Sequence, residues 1–171
     1  MQLAAELDHT TRMTRPTPRR AARHWHAWAL ATLLSAATQS AHAGLDCFTA
    51  AGQYQKVNPL ILRAIAWQES HDATTAKHVN SNGSIDYGLM QINSIHLPRL
   101  AQYGISPDKL MNPCANVYVA AWHLRQKMDK YGNSWEAVGA YHSETPTLRD
   151  QYARQIMAIL RRWNVLPAAG K

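Results

Sequence analysis

Hydrophobic residues recur at helical spacing through most of the chain beyond residue 58. Asn58 and Pro59 supply an N-cap and a proline at the first helical position, and the apolar residues that follow share one face as far as Glu69. A shorter helix is expected before this one, capped by Asp46 and running to about Val57. The pattern therefore predicts two helices here, the second of which ends at Glu69.

The same periodicity predicts three more helices towards the C-terminus. The first buries an apolar stripe and ends at Gly132, and Ser134 caps the second, which reaches Tyr141. The last begins at Thr145-Pro146, and its apolar side is formed by Tyr152, Ile156, Ile159, Leu160 and Trp163.

Residues 70–87 interrupt the helices, because they are polar and rich in turn-forming residues, with a turn at Asn82-Gly83. Periodicity does not decide between a short β-hairpin and a loop in this stretch. Residues 88–93 (GLMQIN) are expected to start a short helix, and residues 104–113 are expected to form a loop. The predicted fold class is mainly α, a single domain with one irregular or β excursion after the helix that ends at Glu69.

The first 43 residues follow a different pattern. A stretch with five arginines precedes an apolar run over residues 27–37, and small residues follow at Ala41-His42-Ala43. This order is typical of a secretory signal peptide cleaved after Ala43, and the apolar run is too short to cross a bilayer of ~30 Å. We therefore expect residues 1–43 to be a signal peptide and residues 44–171 to be the exported domain, with no stable membrane insertion after cleavage. A retained signal anchor is the alternative, and the start codon, Met1 or Met13, stays open.

Export would change the charge of the chain. Residues 44–171 hold 13 Lys and Arg against 9 Asp and Glu, a net charge of +4 compared with +7 for the whole chain. A mildly cationic surface suits an anionic polymer such as the cell wall, and it suits a nucleic acid equally well. The exported part has no Lys/Arg cluster and no nucleic-acid-binding motif, so we expect no nucleic-acid partner.

Cys47 and Cys114 are the two cysteines of the chain. An even number behind an export signal indicates one disulfide in an oxidising compartment, and two buried free thiols are the alternative. Neither cysteine has a neighbouring Cys or His at ligand spacing, and the histidines are scattered, so we expect no metal site and no other cofactor.

Glu69 is the strongest candidate for chemistry. It follows an apolar helix face that must pack into the core, so its carboxyl group should lie at the edge of the core, where desolvation raises its pKa. A carboxyl group that stays protonated near neutral pH can donate a proton to a glycosidic oxygen. From spacing alone, an exposed glutamate at a helix end is the simpler interpretation.

Three ordered motifs favour a catalytic Glu69 over an exposed glutamate at a helix end. Residues 67–70 (WQES) resemble the catalytic Glu-Ser motif of the soluble lytic transglycosylase (SLT) domain, and residues 86–93 (DYGLMQIN) resemble its Gly-Leu-Met-Gln-Ile-Asn signature. Ala140-Tyr141 matches its third motif, whose tyrosine faces the active site. Cys47 and residues 112–114 (NPC) look like the branch of small transglycosylases attached to secretion and conjugation systems.

The resemblance implies a lysozyme-like (α+β) fold that acts on the glycan strands of peptidoglycan. Glu69 would protonate the bond between N-acetylmuramic acid and N-acetylglucosamine. The resulting carboxylate would then take the proton of the muramic acid 6-hydroxyl, which attacks its own anomeric carbon and leaves a 1,6-anhydro end. The implied substrate-binding residues are Ser70, Gly88, Met90, Gln91 and Tyr141.

These residues also have structural interpretations. Gln91 and Tyr141 could be buried structural residues, and Met90 suits the core better than the cleft wall. Gly88 either brings the backbone close to the cleft or adopts a positive φ. At position 142 many members of the family have asparagine, followed two residues later by glycine, whereas this chain has His142 and no glycine, which leaves the role of residue 142 open.

Two other functions remain. A hydrolytic muramidase of the same fold would normally need a second carboxylate, and the nearest candidates, Asp72 and Asp86, are better interpreted as a solvated residue and a turn or capping residue. A peptidoglycan-binding assembly component of a secretion machine is the third possibility. We expect a periplasmic monomer that makes local gaps in the wall for a secretion or conjugation apparatus.

Overall fold

The computed structural model describes residues 39–168, with side chains from residue 47 onwards. The predicted signal peptide lies outside these residues except for its last five. The described elements are α1 (Gln39–Gln55), α2 (Pro59–Ser70), β1 (Lys77–Val79), β2 (Ile85–Tyr87), β3 (Ile92–Asn93), a 3₁₀ turn (Ser94–His96), α3 (Leu97–Ala101), α4 (Pro107–Leu110), α5 (Pro113–Tyr131), α6 (Trp135–Ala140) and α7 (Pro146–Arg162). The mainly α, lysozyme-like (α+β) fold class is therefore confirmed.

The helix boundaries follow the capping residues. The Asn58 side chain accepts a hydrogen bond from the Leu60 amide at the start of α2, and Ser134 accepts one from Ala137 at the start of α6. Gly132, at φ 74°, ends α5 as predicted. These local hydrogen bonds satisfy amides that have no partner within the helix, which explains why the sequence alone identifies the ends.

The polar stretch after α2 forms the β-hairpin that periodicity left undecided. Strands β1 and β2 pair antiparallel, with Lys77 opposite Tyr87, and β2 pairs with β3 in a three-stranded sheet ordered β1-β2-β3. The hairpin turn contains Asn82 and Gly83, the latter at φ 79°. The sheet continues directly into the signature residues 88–93.

Four local predictions are wrong. Residues 88–93 form a turn and strand β3 instead of a helix, because Gly88 and Gln91 both adopt a positive φ that an α-helix excludes. Residues 104–113 contain the short helix α4, which Ser106 caps. Helix α1 begins at Gln39, so Asp46 lies inside it instead of capping it. Trp163 follows the end of α7 and is 38% exposed, so it does not share the burial of the other four apolar residues of that helix.

Helix α2 passes through the middle of the fold. Its residues Leu62, Ala64, Ile65 and Ala66 are completely buried, and the helix packs against α1, α5 and α7. A disulfide between Cys47 in α1 and Cys114 in α5 confirms the predicted pairing, with the two Cα atoms 5.3 Å apart. Across residues 39–168, no helix combines the length and hydrophobicity that a membrane crossing requires.

Candidate active site

A cleft of about 280 Å³ opens where the end of α2 meets the sheet and helices α5 and α6. Glu69, in the last turn of α2, lies in its wall. The cleft also brings together residues that are distant in sequence, including Asp86, Gln91, His123, Tyr141 and His142. The structure therefore collects parts of all three sequence motifs in one concave site.

Burial controls the protonation of Glu69. The pKa of Glu69 is raised from 4.5 to about 7, chiefly because burial removes its carboxyl group from water, and the negative charge of Asp86 acts in the same direction. A hydrogen bond from Tyr152 acts in the opposite direction, because it stabilises the carboxylate. At neutral pH the Glu69 side chain is thus present in both protonation states.

Tyr152 is a site residue that the sequence interpretation placed only in the core. Its side chain is 3% exposed, and its hydroxyl donates a hydrogen bond of 2.5 Å to Oε1 of Glu69. The ring also lies parallel to the imidazole of His142, with ring centroids 5.0 Å apart. A buried phenol needs a hydrogen-bond partner, and this requirement was the one sequence signal that pointed beyond packing.

The signature residues 88–91 form a turn that is fixed from several sides. The Ser70 hydroxyl donates to the Leu89 carbonyl at 2.8 Å, and the Tyr141 hydroxyl donates to the Met90 carbonyl at 2.9 Å. Within the turn, Nε2 of Gln91 donates to the Gly88 carbonyl at 2.7 Å. These bonds tie the turn to the end of α2 and to the residue that follows α6, so they fix its position relative to Glu69.

Asn116 is a second residue that sequence reasoning missed. Its side chain is fully buried under the turn, accepts a hydrogen bond from the Met90 amide at 2.7 Å and donates to the carbonyls of Tyr87 and Leu110. Gly88, at φ 71°, lies so close that a Cβ there would be 2.7 Å from the Asn116 side chain. Three buried backbone groups therefore depend on one amide side chain.

Asp86 is not the turn or capping residue that the sequence suggested. It lies on β2 opposite Asn93, and its two carboxylate oxygens accept hydrogen bonds from the side-chain amides of Asn93, at 2.6 Å, and Asn80, at 2.8 Å. Both oxygens of this carboxyl group therefore have a hydrogen-bond partner. A second carboxylate therefore lies in the cleft wall with Glu69.

Comparison with known proteins agrees with this geometry. The model of the transglycosylase SLT domain family matches residues 46–157, which include all three motifs and Tyr152. The chain belongs to this family.

Named relatives from enteric bacteria are similar over most of the chain. The X polypeptide of Escherichia coli K12 is 44% identical over 117 residues, which cover 68% of this chain and 69% of that protein. Protein IpgF of Shigella flexneri is 41% identical over 128 residues, which cover 74% of this chain and 84% of that protein. The invasion protein IagB of Salmonella typhimurium SL1344 is also 41% identical, over 74% of this chain and 82% of that protein.

The structure places the predicted substrate-binding residues in two groups. Gln91 and Tyr141 line the cleft with Glu69. Met90 does not line it, because its side chain is fully buried in the core, and the prediction of a substrate contact for this side chain is wrong.

Gly88 adopts the positive φ that was one of its two interpretations, and its close neighbours are Asn116 and Leu110. Ser70 contacts the Leu89 carbonyl instead of Glu69.

Three other polar residues complete the description of the site. His123 lies in the cleft wall, where burial, followed by the nearby His96, lowers its pKa to about 4, so the ring is neutral. His142 lines the cleft. Asp72 adopts a positive φ just after α2, and burial raises its pKa. No three His, Cys, Asp or Glu side chains of residues 47–168 come together as a metal site.

Proposed function

We propose that the protein is a peptidoglycan lytic transglycosylase that cleaves the bond between N-acetylmuramic acid and N-acetylglucosamine and leaves a 1,6-anhydro end. The observation that carries the proposal is the half-buried Glu69, whose pKa of about 7 lets it donate a proton to the leaving oxygen. Family membership supports the substrate class.

In this proposal Glu69 acts twice. As an acid it protonates the glycosidic oxygen, and as a carboxylate it takes the proton from the 6-hydroxyl of the muramic acid residue. The Tyr152 hydroxyl stabilises the carboxylate between the two steps, because its hydrogen bond favours the charged form. The attacking hydroxyl belongs to the same sugar, so the reaction needs no positioned water. Gln91 and Tyr141 are proposed to contact the substrate, and Ser70 and Gly88 to position the turn that carries Gln91.

Asp86 supports a second candidate function, a hydrolytic muramidase. A second carboxyl group in the cleft wall with Glu69 completes the pair that a hydrolysing glycosidase uses, either for a covalent intermediate or to activate water. We prefer the transglycosylase because the Asp86 oxygens are already engaged by Asn80 and Asn93.

Digestion of purified peptidoglycan tests both candidates. The wild-type protein should release muropeptides with anhydro ends, whereas Glu69→Gln should release none, because the amide cannot donate the proton. Asp86→Asn keeps the shape and should reduce the rate without changing the product. Reducing ends that disappear in Asp86→Asn would favour the muramidase.

We further propose that the enzyme is exported to the periplasm by residues 1–43 and acts locally for a secretion or conjugation apparatus. One relative is named an invasion protein, and two cysteines form a disulfide, which suits an oxidising compartment. Deletion of the gene should reduce transport by that apparatus, and a copy with Glu69→Gln should fail to restore it. Unchanged transport in the deletion strain would contradict this role, and an uncleaved N-terminus on the purified protein would contradict export by a signal peptide.

A further inference from the structure

A second groove of about 550 Å³ lies on the surface along α5, and the proposed mechanism makes no use of it. Three tyrosines line it with unusually open side chains: Tyr54 is 74% exposed, Tyr103 is 65% exposed and Tyr118 is 37% exposed. We call it the tyrosine groove. Aromatic side chains that remain this exposed around a concave surface mark a binding site more often than they serve the fold.

The tyrosine groove adjoins the catalytic cleft. Val119 and Trp122 of α5 line both of them, so the two share one wall. Along α5, the eight residues from Ala115 in the groove to His123 in the cleft span about 12 Å. The tyrosine groove therefore lies within reach of a linear polymer held at Glu69.

The rings of the groove are held in pairs. Tyr54 packs against Tyr118 with ring centroids 6.1 Å apart, and the edge of Tyr103 meets Trp122 at 6.2 Å. The guanidinium of Arg99 lies 4.6 Å from the centre of the Trp122 ring. Because each ring has a neighbour, the groove loses little conformational freedom when a ligand binds.

The lining suits an uncharged ligand with flat apolar faces. No acidic or basic side chain lines the groove, and the polar groups available are the tyrosine hydroxyls and the Gln55 amide. Pyranose rings match this surface, because their C–H faces pack on aromatic rings while their hydroxyls bond to phenol and amide groups.

We propose that the tyrosine groove binds the glycan strand at sugars beyond those in the catalytic cleft, so that the enzyme favours long strands over short fragments. This inference rests on the proposed function, because it takes the ligand of the cleft to be a glycan.

Binding of chitooligosaccharides to the full chain with Glu69→Gln tests the proposal without cleavage. Affinity, measured by calorimetry, should rise from the dimer to the octamer beyond the length that fills the cleft. Tyr54→Ala and Tyr103→Ala should each reduce the ratio of octamer to dimer affinity by roughly two- to tenfold. The control is Leu148→Ala, which removes an apolar side chain that is 47% exposed and lies outside the groove, and it should leave the ratio unchanged.

Affinities that do not rise with length, or a ratio that both tyrosine variants leave intact, would overturn the proposal. If those variants bind every oligosaccharide normally but fail to support transport in cells, the groove holds a protein, which also overturns it. Failure of the proposed function is distinguishable, because the wild-type protein would then release no muropeptides from peptidoglycan, whatever the state of the groove.

Discussion

The hydrogen bond between Tyr152 and Glu69 offers the sharpest test of how the site sets its acid/base group. Tyr152→Phe removes only the hydroxyl, 2.5 Å from Oε1 of Glu69, and keeps the ring that packs against His142. The lost donor stabilises the carboxylate, so its removal favours the protonated form. The pKa of Glu69, about 7 in the wild type, should therefore rise.

The size of the change follows from the chemistry of the bond. A hydrogen bond to a charged group contributes roughly 1.5–3 kcal/mol. Because one pKa unit corresponds to about 1.4 kcal/mol, the pKa of Glu69 should rise by about one to two units. The first step requires protonated Glu69, so the alkaline limb of kcat/KM should move to higher pH by the same amount.

The assay is the pH dependence of muropeptide release by wild type and variant. Tyr131→Phe is a matched control, because the Tyr131 hydroxyl also donates to a carboxylate, that of Glu144, outside the catalytic cleft. This control should leave the alkaline limb in place. A limb that stays fixed in Tyr152→Phe, or moves to lower pH, would refute the assigned role of the hydroxyl.

Three further predictions concern stability. Because folding raises the pKa of Glu69 above its unfolded value, the free energy of unfolding of the wild type should fall as pH rises from about 4.5 through 7. At about pH 8, Glu69→Gln should therefore be more stable than the wild type by up to ~3 kcal/mol. Below pH 4.5 this advantage should disappear. An equal difference at both pH values, measured by denaturant unfolding, would contradict the burial of a titrating carboxyl. Asn116→Ala leaves three buried backbone groups without a partner, so it should lower the free energy of unfolding by about 3 kcal/mol or more. A loss below about 1 kcal/mol would refute the conclusion that Asn116 supports the turn over residues 88–91. Reduction of Cys47–Cys114 opens a loop of 67 residues and should lower the free energy of unfolding by about 4 kcal/mol, whereas Cys47→Ser/Cys114→Ser should be insensitive to reductant.

Helix α2, which carries Glu69, could be predicted because its signals are local. The Asn58 side chain caps α2, and Pro59 occupies its first position. The apolar face that follows packs into the core, and this packing places Glu69 at the edge of the core. The motif resemblance depended on short segments for the same reason. Local sequence was thus sufficient to predict the position of Glu69 and the helices around it.

The rest of the site depends on contacts between distant segments. Gln91 adopts a positive φ in the turn over residues 88–91. Two distant side chains hold this turn at Met90: Tyr141, 51 residues further along the chain, binds the Met90 carbonyl, and Asn116, 26 residues further along, binds the Met90 amide. Residues 88–93 contain no sequence signal for these hydrogen bonds. Their apolar residues alone therefore suggested a helix. The partnership of Tyr152 with Glu69 spans 83 residues, and periodicity placed the ring in the core without indicating which carboxyl its hydroxyl meets.

Digestion of purified peptidoglycan in water enriched in oxygen-18 tests the central claim most directly, with the products weighed by mass spectrometry. Transfer to the 6-hydroxyl uses no water, so the wild type should release 1,6-anhydro products without the heavy isotope, and Glu69→Gln should release none. Reducing ends that carry oxygen-18 would contradict the transglycosylase reaction, and equal product from Glu69→Gln would contradict Glu69 as its acid and base.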